Sequence, residues 1–326
     1  MDLLINKESI LYDSESDYYD ISICIITYNK KAFISDAINS ILRQITTCSY
    51  EIIVGDNAST DGTRDILIDY WNKYSDRMTL IFNNHNLGLS TNMFNTMVKA
   101  KGKYIIVLYG DDYWIDDKRL QKQYDFLENN ANYVGVTAPI EHRYDGEDIG
   151  FMESPRKKLW GKEISLDKYL HAKDFPMAGL MFRNDIFSNS LDHFKIMVQA
   201  SKDIDDTSFC VLILMKGNIF ILDEVMGVYR CFRQDAGGNN FNSVNTKYLK
   251  CKKLLELKNN LYSLTGKQYD FETFWGLTLA SAWNAMIHRS LTVNEFKSLT
   301  KLIESPYNQK WIKLLFKGIM GKIKKR

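Results

Sequence analysis

From residue 21 onward, short apolar runs alternate with longer segments whose apolar residues recur at helical spacing. That alternation restricts the chain to strands joined by crossover helices in a largely parallel sheet. The runs cover residues 21–26, 51–54, 78–82 and 104–108. Between the first two, Phe33, Ala37, Ile38, Ile41 and Leu42 fall on one helical face, and Ile66, Leu67, Tyr70 and Trp71 do so in the next connection. Each run stops at a polar cluster, at 27–29, 56–61, 83–88 and 110–112. Ligands of open α/β sheets bind beyond the carboxyl ends of the strands, so these clusters are expected to line one cleft. Further strands are expected at 134–138, 178–182 and 218–222, with a Gly- and charge-rich loop over 143–161 as a candidate lid. From about Asn245 the pattern turns helical, through Leu254, Leu255, Leu257 and Leu261 and then residues 274–287.

A chain of 326 residues with 45% apolar and 13% aromatic content is long enough for one large α/β domain with an appendage. Lys and Arg number 42 against 40 Asp and Glu, and the resulting charge of +2 makes no electrostatic case for a nucleic-acid partner. Cys24, Cys48, Cys210, Cys231 and Cys251 show no Cys-x-x-Cys spacing, which fits a reducing compartment. The first twenty residues are acidic and tyrosine-rich, without the basic start or apolar stretch of a secretory signal. No window reaches the roughly 18 to 20 uninterrupted apolar residues of a spanning helix. A cytoplasmic protein is therefore expected.

Asp111 and Asp112 follow directly on the fourth run, with Tyr113 and Trp114 behind them. Carboxylates at the end of a buried strand are costly unless a positive group sits there. Mg²⁺ and Mn²⁺ choose carboxylate oxygens and keep open positions for phosphates, so the pair reads as a metal–diphosphate anchor. The plainer reading is an acidic strand-to-turn junction that caps the next helix. After the second run, Ser59, Thr60 or Asp61 is expected to supply a helix N-cap acceptor. Asp56 lies before that cap, where a carboxylate can accept the imide hydrogen of uracil or thymine while Tyr28 lies against the ring. There is no Gly-x-Gly-x-x-Gly and no Gly-x-x-x-x-Gly-Lys, which leaves a metal ion to neutralise a diphosphate.

With these residues in view, the chain resembles the inverting family-2 glycosyltransferases of GT-A fold. The matching segments are 22–29 (Ser-Ile-Cys-Ile-Ile-Thr-Tyr-Asn), 54–63 (Val-Gly-Asp-Asn-Ala-Ser-Thr-Asp-Gly-Thr), Asn86-Leu87-Gly88, and Gly110-Asp111-Asp112-Tyr113-Trp114 with residues 118–123 behind it. A looser match follows through Asp205-Asp206, Lys216-Gly217, residues 222–225 and Tyr229-Arg230. The resemblance implies a Rossmann-like α/β mixed sheet with flanking helices and a helical C-terminal part. It divides the chain into an N-terminal extension over 1–20, a catalytic domain over 21–243 with nucleotide-binding (21–130) and acceptor (131–243) halves, and a helical region over 244–326.

The resemblance further implies transfer of a sugar from a nucleotide-diphosphate donor, a UDP-sugar, to a saccharide or lipid-linked acceptor in bacterial surface-polysaccharide assembly. Thr27, Tyr28, Asn29, Asp56, Asn57, Asn86, Gly88 and Asp112 would surround the donor, Asp111 would hold Mn²⁺ or Mg²⁺, and Asp206 would be the general base, with Asp205 in reserve. Two departures stand out. Tyr109 occupies the place of an acidic residue, and Cys231-Phe232-Arg233 follows Tyr229-Arg230 where many relatives carry a histidine. Arg230 or Arg233 would then neutralise the phosphate, unless both are surface ion-pair partners. A nucleotidyltransferase and a binding protein on a decayed transferase fold are the alternatives. Residues 310–326 place Trp311, Leu314, Leu315, Ile319 and Ile323 at helical spacing among seven basic groups. Such a segment is expected on an anionic membrane surface, the other reading being a solvated basic tail.

Overall fold

In the computed structural model the described residues are 9–14, 18–144, 159–172, 179–185 and 206–231, with isolated positions between 257 and 294. The chain divides into two units, 1–166 with 174–233, and 167–173 with 234–326. In the second, Leu257 and Leu261 are buried, and Thr265 donates its hydroxyl to the carbonyl of Leu261.

The first unit is built on the four expected runs. They form β2 (Tyr19–Thr27), β3 (Tyr50–Asp56), β4 (Met78–Phe82) and β5 (Gly102–Tyr109). All are parallel neighbours in the order β4-β3-β2-β5. Their apolar residues are buried almost without interruption, as strands covered on both faces require. The connections are helical: α1 (Ile34–Leu42), α2 (Thr63–Tyr74) and α3 (Leu89–Met97). Helix α1 buries Ile34, Ala37, Ile38 and Ile41, the residues whose spacing announces it. Chain order reverses direction at β2, with β3 and β4 on one side and β5 on the other. A crevice opens at such a switch point.

The sheet continues with antiparallel and parallel additions, to a nine-stranded order β1-β4-β3-β2-β5-β10-β7-β11-β9. These are β1 (Ile10–Tyr12), β7 (Tyr133–Thr137), β9 (Lys162–Ile164), β10 (Met181–Arg183) and β11 (Asn218–Ile221). A separate three-stranded sheet, β6-β12-β8, joins Tyr113–Trp114, Gly227–Cys231 and Ile140–Tyr144. Helix α4 (Arg119–Asn129) follows the Asp-Asp turn, α5 spans Leu166–Ala172, and α6 spans Asp206–Leu214.

The expected mixed α/β sheet with flanking helices is thus observed. Strands β1, β6, β8, β9 and β12 are additions to the expected set. Each has five residues or fewer, and β8 (Ile-Glu-His-Arg-Tyr) and β9 (Lys-Glu-Ile) carry no period-2 apolar pattern. Part of the segment expected as an N-terminal extension is the edge strand β1, paired antiparallel with β4. The loop expected from residue 143 begins inside β8, and residues 145–158 lie outside the described set.

Gly55, one residue before Asp56, lets α3 approach the sheet. A Cβ there would sit 1.9 Å from Oγ1 of Thr96 and 2.9 Å from Oδ1 of Asn92. Asn92 donates to the carbonyl of Gly55 at 2.8 Å, so the helix rests on bare backbone. Gly55→Ala is expected to cost about 1–3 kcal/mol of stability through overpacking, read as a lowered unfolding midpoint in urea.

Candidate active site

The site is built at the carboxyl ends of β2, β3 and β5. Register places Thr27 opposite Asp56 across the β2–β3 pair and Ile26 opposite Tyr109 across β2–β5. Side chains that follow those strands are therefore gathered at one opening.

Asp56 is fully buried. Its Oδ2 accepts the Ser59 amide at 3.0 Å and Nε of Arg64 at 2.6 Å. Arg64 also donates to the carbonyl of Asn83 and lies over the Phe82 ring at 4.8 Å. The other oxygen, Oδ1, is buried with no hydrogen-bond partner among the described residues, and the same holds for Oγ1 of Thr27. A buried carboxylate oxygen left unmatched is costly, so two such acceptors on adjacent strand ends mark a place for a ligand's donors. Tyr28, next along the chain, is 40% exposed beside them.

Around this pair the polar loops hold one another. Asn29 takes a left-handed backbone (φ 52°), donates its amide to Oγ of Ser59 at 2.8 Å and accepts from the Thr60 amide at 2.8 Å. Asn57 donates to Oδ1 of Asn86 and accepts from the Leu87 amide, both at 2.8 Å, and the Gly88 amide donates to Asn86 at 2.9 Å. Asn29, Asn57, Asn86 and Gly88 therefore frame the opening through contacts among the loops. The expected cap of α2 differs in detail. Gly62 (φ 96°) stands at the cap position, and Asp61 accepts the Thr63 amide at 3.0 Å from one residue further out. Ser59 gives its side-chain oxygen to the Asn29 amide instead, and Thr60 contributes its backbone amide to Asn29.

The Asp-Asp turn leaves β5 at Gly110, whose amide donates to the carbonyl of Ile26 at 3.0 Å. A Cβ on Gly110 would come within 2.7 Å of Oγ1 of Thr27, so glycine there keeps the turn against β2. The two aspartates then diverge. Asp112 is buried, with Oδ1 accepting the Arg230 amide at 3.0 Å, which fastens the turn to β12. The Asp111 side chain is 19% exposed, and its Oδ2 lies 2.6 Å from Nζ of Lys30, itself 24% exposed.

Arg230 is spent on the frame: its guanidinium pairs with Asp36 of α1, donates to the carbonyl of Asp111 at 3.3 Å, and lies between the rings of Phe33 (5.0 Å) and Tyr113 (4.7 Å). Of the two roles expected for Arg230, a phosphate contact or an ion pair, the structure displays the ion pair, with Asp36. Beneath the turn, Arg119 is fully buried over the Trp114 ring at 4.8 Å and donates to Gln123 and to the carbonyl of Met226. Burial pushes its pKa down to about 9, which leaves it charged at neutral pH.

Cys231, at the position where the resemblance leads to the expectation of a histidine, has Sγ 3.9 Å from Nδ1 of His142 on the neighbouring strand β8. Burial, then the nearby Asp112 charge, raises the thiol pKa, and burial lowers that of the imidazole. The pair is therefore neutral at physiological pH. Asp206 begins α6, while Asp205, Arg233 and the tail 310–326 lie outside the described residues. Arg64 and Lys30 escape notice in the sequence. The signals for them are weak: an arginine in the first turn of α2, and a lysine one residue past Asn29.

Divalent-metal chemistry is testable on this arrangement. Among the described residues no group of three or more His, Cys, Asp and Glu side chains converges. The carboxylate of Asp111 at the opening, already holding a cation, does fit an ion whose remaining positions are filled by phosphate oxygens.

Comparison with known proteins finds similarity to glycosyltransferases. A Campylobacter jejuni protein named GalNAc(5)-diNAcBac-PP-undecaprenol beta-1,3-glucosyltransferase is 27% identical over 300 residues, covering 88% of this chain and 90% of that protein. The chain spans 58% of the length of relatives from Mycobacterium that are 28% identical to it, and 53% of a Bacillus subtilis protein named putative teichuronic acid biosynthesis glycosyltransferase TuaG at 36% identity. Among solved structures, Staphylococcus aureus TarS 1–349 in complex with UDP-GlcNAc superposes with a TM-score of 0.58 at 14% identity, over 94% of this chain and 92% of that one. The mannosyltransferase PcManGT from Pyrobaculum calidifontis, in complex with GDP-Man and Mn²⁺, gives a TM-score of 0.54 at 14% identity, over 95% and 90%. These likenesses agree with the GT-A fold. The family profile described as glycosyl transferase family 2 matches residues 22–191, more than half of the sequence, and the chain belongs to that family.

Proposed function

We propose that this glycosyltransferase moves a sugar from a UDP-linked donor to a saccharide or lipid-linked saccharide acceptor, with inversion at the anomeric carbon, in bacterial surface-polysaccharide assembly. The observation that carries the donor assignment is the pair of unmatched buried oxygens, Oδ1 of Asp56 and Oγ1 of Thr27, at one strand-end opening. Uracil presents an imide N–H to a carboxylate, whereas cytosine presents a lone pair at that position and would be repelled. Arg64 holds the Asp56 carboxylate in place, and the exposed ring of Tyr28 offers a stacking face. The named substrate of the Campylobacter relative, a polyprenyl-linked saccharide, supports the acceptor class.

The reaction is a single displacement. The acceptor oxygen bonds to the anomeric carbon as the bond to the diphosphate oxygen breaks, and the acceptor proton passes to a carboxylate. Asp206 at the start of α6 is that base in this reading, with Asp205 as the reserve. Asp111 would hold a divalent ion, which, when bound, supplies charge to the departing diphosphate. Asp112 and Arg230 keep the turn carrying Asp111 against β12 and α1. Membership of a glycosyltransferase family supports sugar transfer over nucleotidyl transfer. Among the described residues no helix is long and apolar enough to cross a membrane, so contact with a lipid-linked acceptor on the cytoplasmic face would fall to the basic tail 310–326.

Calorimetry is expected to show UDP binding at least about tenfold tighter than CDP, the cost of an unpaired buried group; equal affinities would remove the uracil assignment. Asp111→Asn should lower release of UDP from the donor about 100-fold or more, with an unchanged thermal midpoint. Parental turnover in that variant after EDTA treatment would refute the metal role. Asp206→Asn should keep UDP affinity while transfer falls about 100-fold or more; undiminished transfer moves the base elsewhere.

A further inference from the structure

We propose that Lys30 is a cationic placeholder that guards Asp111 and couples metal uptake to donor binding. The proposal rests on the reading of Asp111 as the metal-holding carboxylate. The ammonium lies 2.6 Å from Oδ2 of the carboxylate that would receive the metal ion, and both side chains are partly buried. A divalent ion arriving alone must displace this ammonium and then sit beside it. Like charges at that separation repel, so the isolated ion binds weakly. A diphosphate alters the balance, because it brings several negative oxygens that satisfy the ion and give the ammonium a new partner.

The backbone allows that exchange. The Lys30 amide donates to Oγ1 of Thr63 at 2.9 Å, and its carbonyl accepts the amides of Phe33 and Ile34 at 2.9 Å. The backbone of the turn into α1 is therefore held through the Lys30 amide and carbonyl, independently of its ion pair with Asp111. Each ligand then raises affinity for the other, as reciprocal linkage requires.

The test measures Mn²⁺ binding, by electron paramagnetic resonance of the unbound ion, with and without UDP. In the parental protein UDP should tighten Mn²⁺ binding about tenfold or more. In Lys30→Met, Mn²⁺ alone should bind about tenfold more tightly than in the parent, and the enhancement by UDP should shrink correspondingly. Lys30→Arg, which keeps the charge, should behave as the parent does, and it serves as the second variant should the methionine protein fail to fold. Unchanged Mn²⁺ affinity in Lys30→Met, with the UDP enhancement intact, overturns the role of Lys30 alone. If neither protein takes up Mn²⁺ even with UDP, the metal reading of Asp111 falls and the coupling with it.

Discussion

Parallel pairing of β2 with β3 on one side and β5 on the other is the constraint on which the site rests. It sets Thr27 beside Asp56 and brings Gly110 within hydrogen-bonding reach of Ile26. Side chains alternate across a strand, so a slip of one residue in either pair would turn the strand-end groups to the wrong face. Both faces of β2 are buried, and a slip of one residue would set the Ser22 hydroxyl in the apolar cluster that holds Ile21, Ile23 and Ile25. Ser22 itself is engaged, donating to the buried Glu51 at 2.6 Å and accepting the Gly102 amide at 2.8 Å. That polar link joins β3, β2 and β5 at the end of the sheet opposite the site.

Charge is handled at the site by pairing each acid with a specific donor. Asp56 has Arg64, Asp111 has Lys30, Asp36 has Arg230, and Asp112 has the Arg230 amide. The arrangement is graded by burial. Asp56 and Asp112 are enclosed and immobile, whereas the Asp111–Lys30 pair borders solvent. Fixed acids can define a base pocket and a turn, while an acid with a displaceable partner can accept a cation delivered from outside. Arg119, buried between Trp114 and the carbonyl of Met226, ties the small sheet to α4 and so holds the turn from behind. Gly179 and Gly227 make room for it, since a Cβ at either would lie within 2.9 Å of its guanidinium.

The central sheet was legible because period and burial are local properties. Residues 21–26, 51–54, 78–82 and 104–108 lie inside observed strands, and the apolar face of α1 is the one its spacing announces. Thr27, Asp56 and Asp111 were legible as polar groups at strand ends for the same reason, since each closely follows an apolar run. Asn29, Asn57 and Asn86 are near that opening, but their amides are occupied by neighbouring loops, a matter of distance in space that spacing along the chain does not encode. The short strands β6, β8 and β12 form only because residues separated by up to about a hundred positions meet.

The sequence by itself thus determined the α/β layering, the strand ends and the acids that sit at them, because hydrophobic period and chain order decide these one segment at a time. Only the tertiary structure decided how each charge is balanced. It chose Arg64 for Asp56 and Lys30 for Asp111, and it sent Arg230 to Asp36. Coulombic partners are selected by proximity after folding, and proximity across crossover helices is a property of packing.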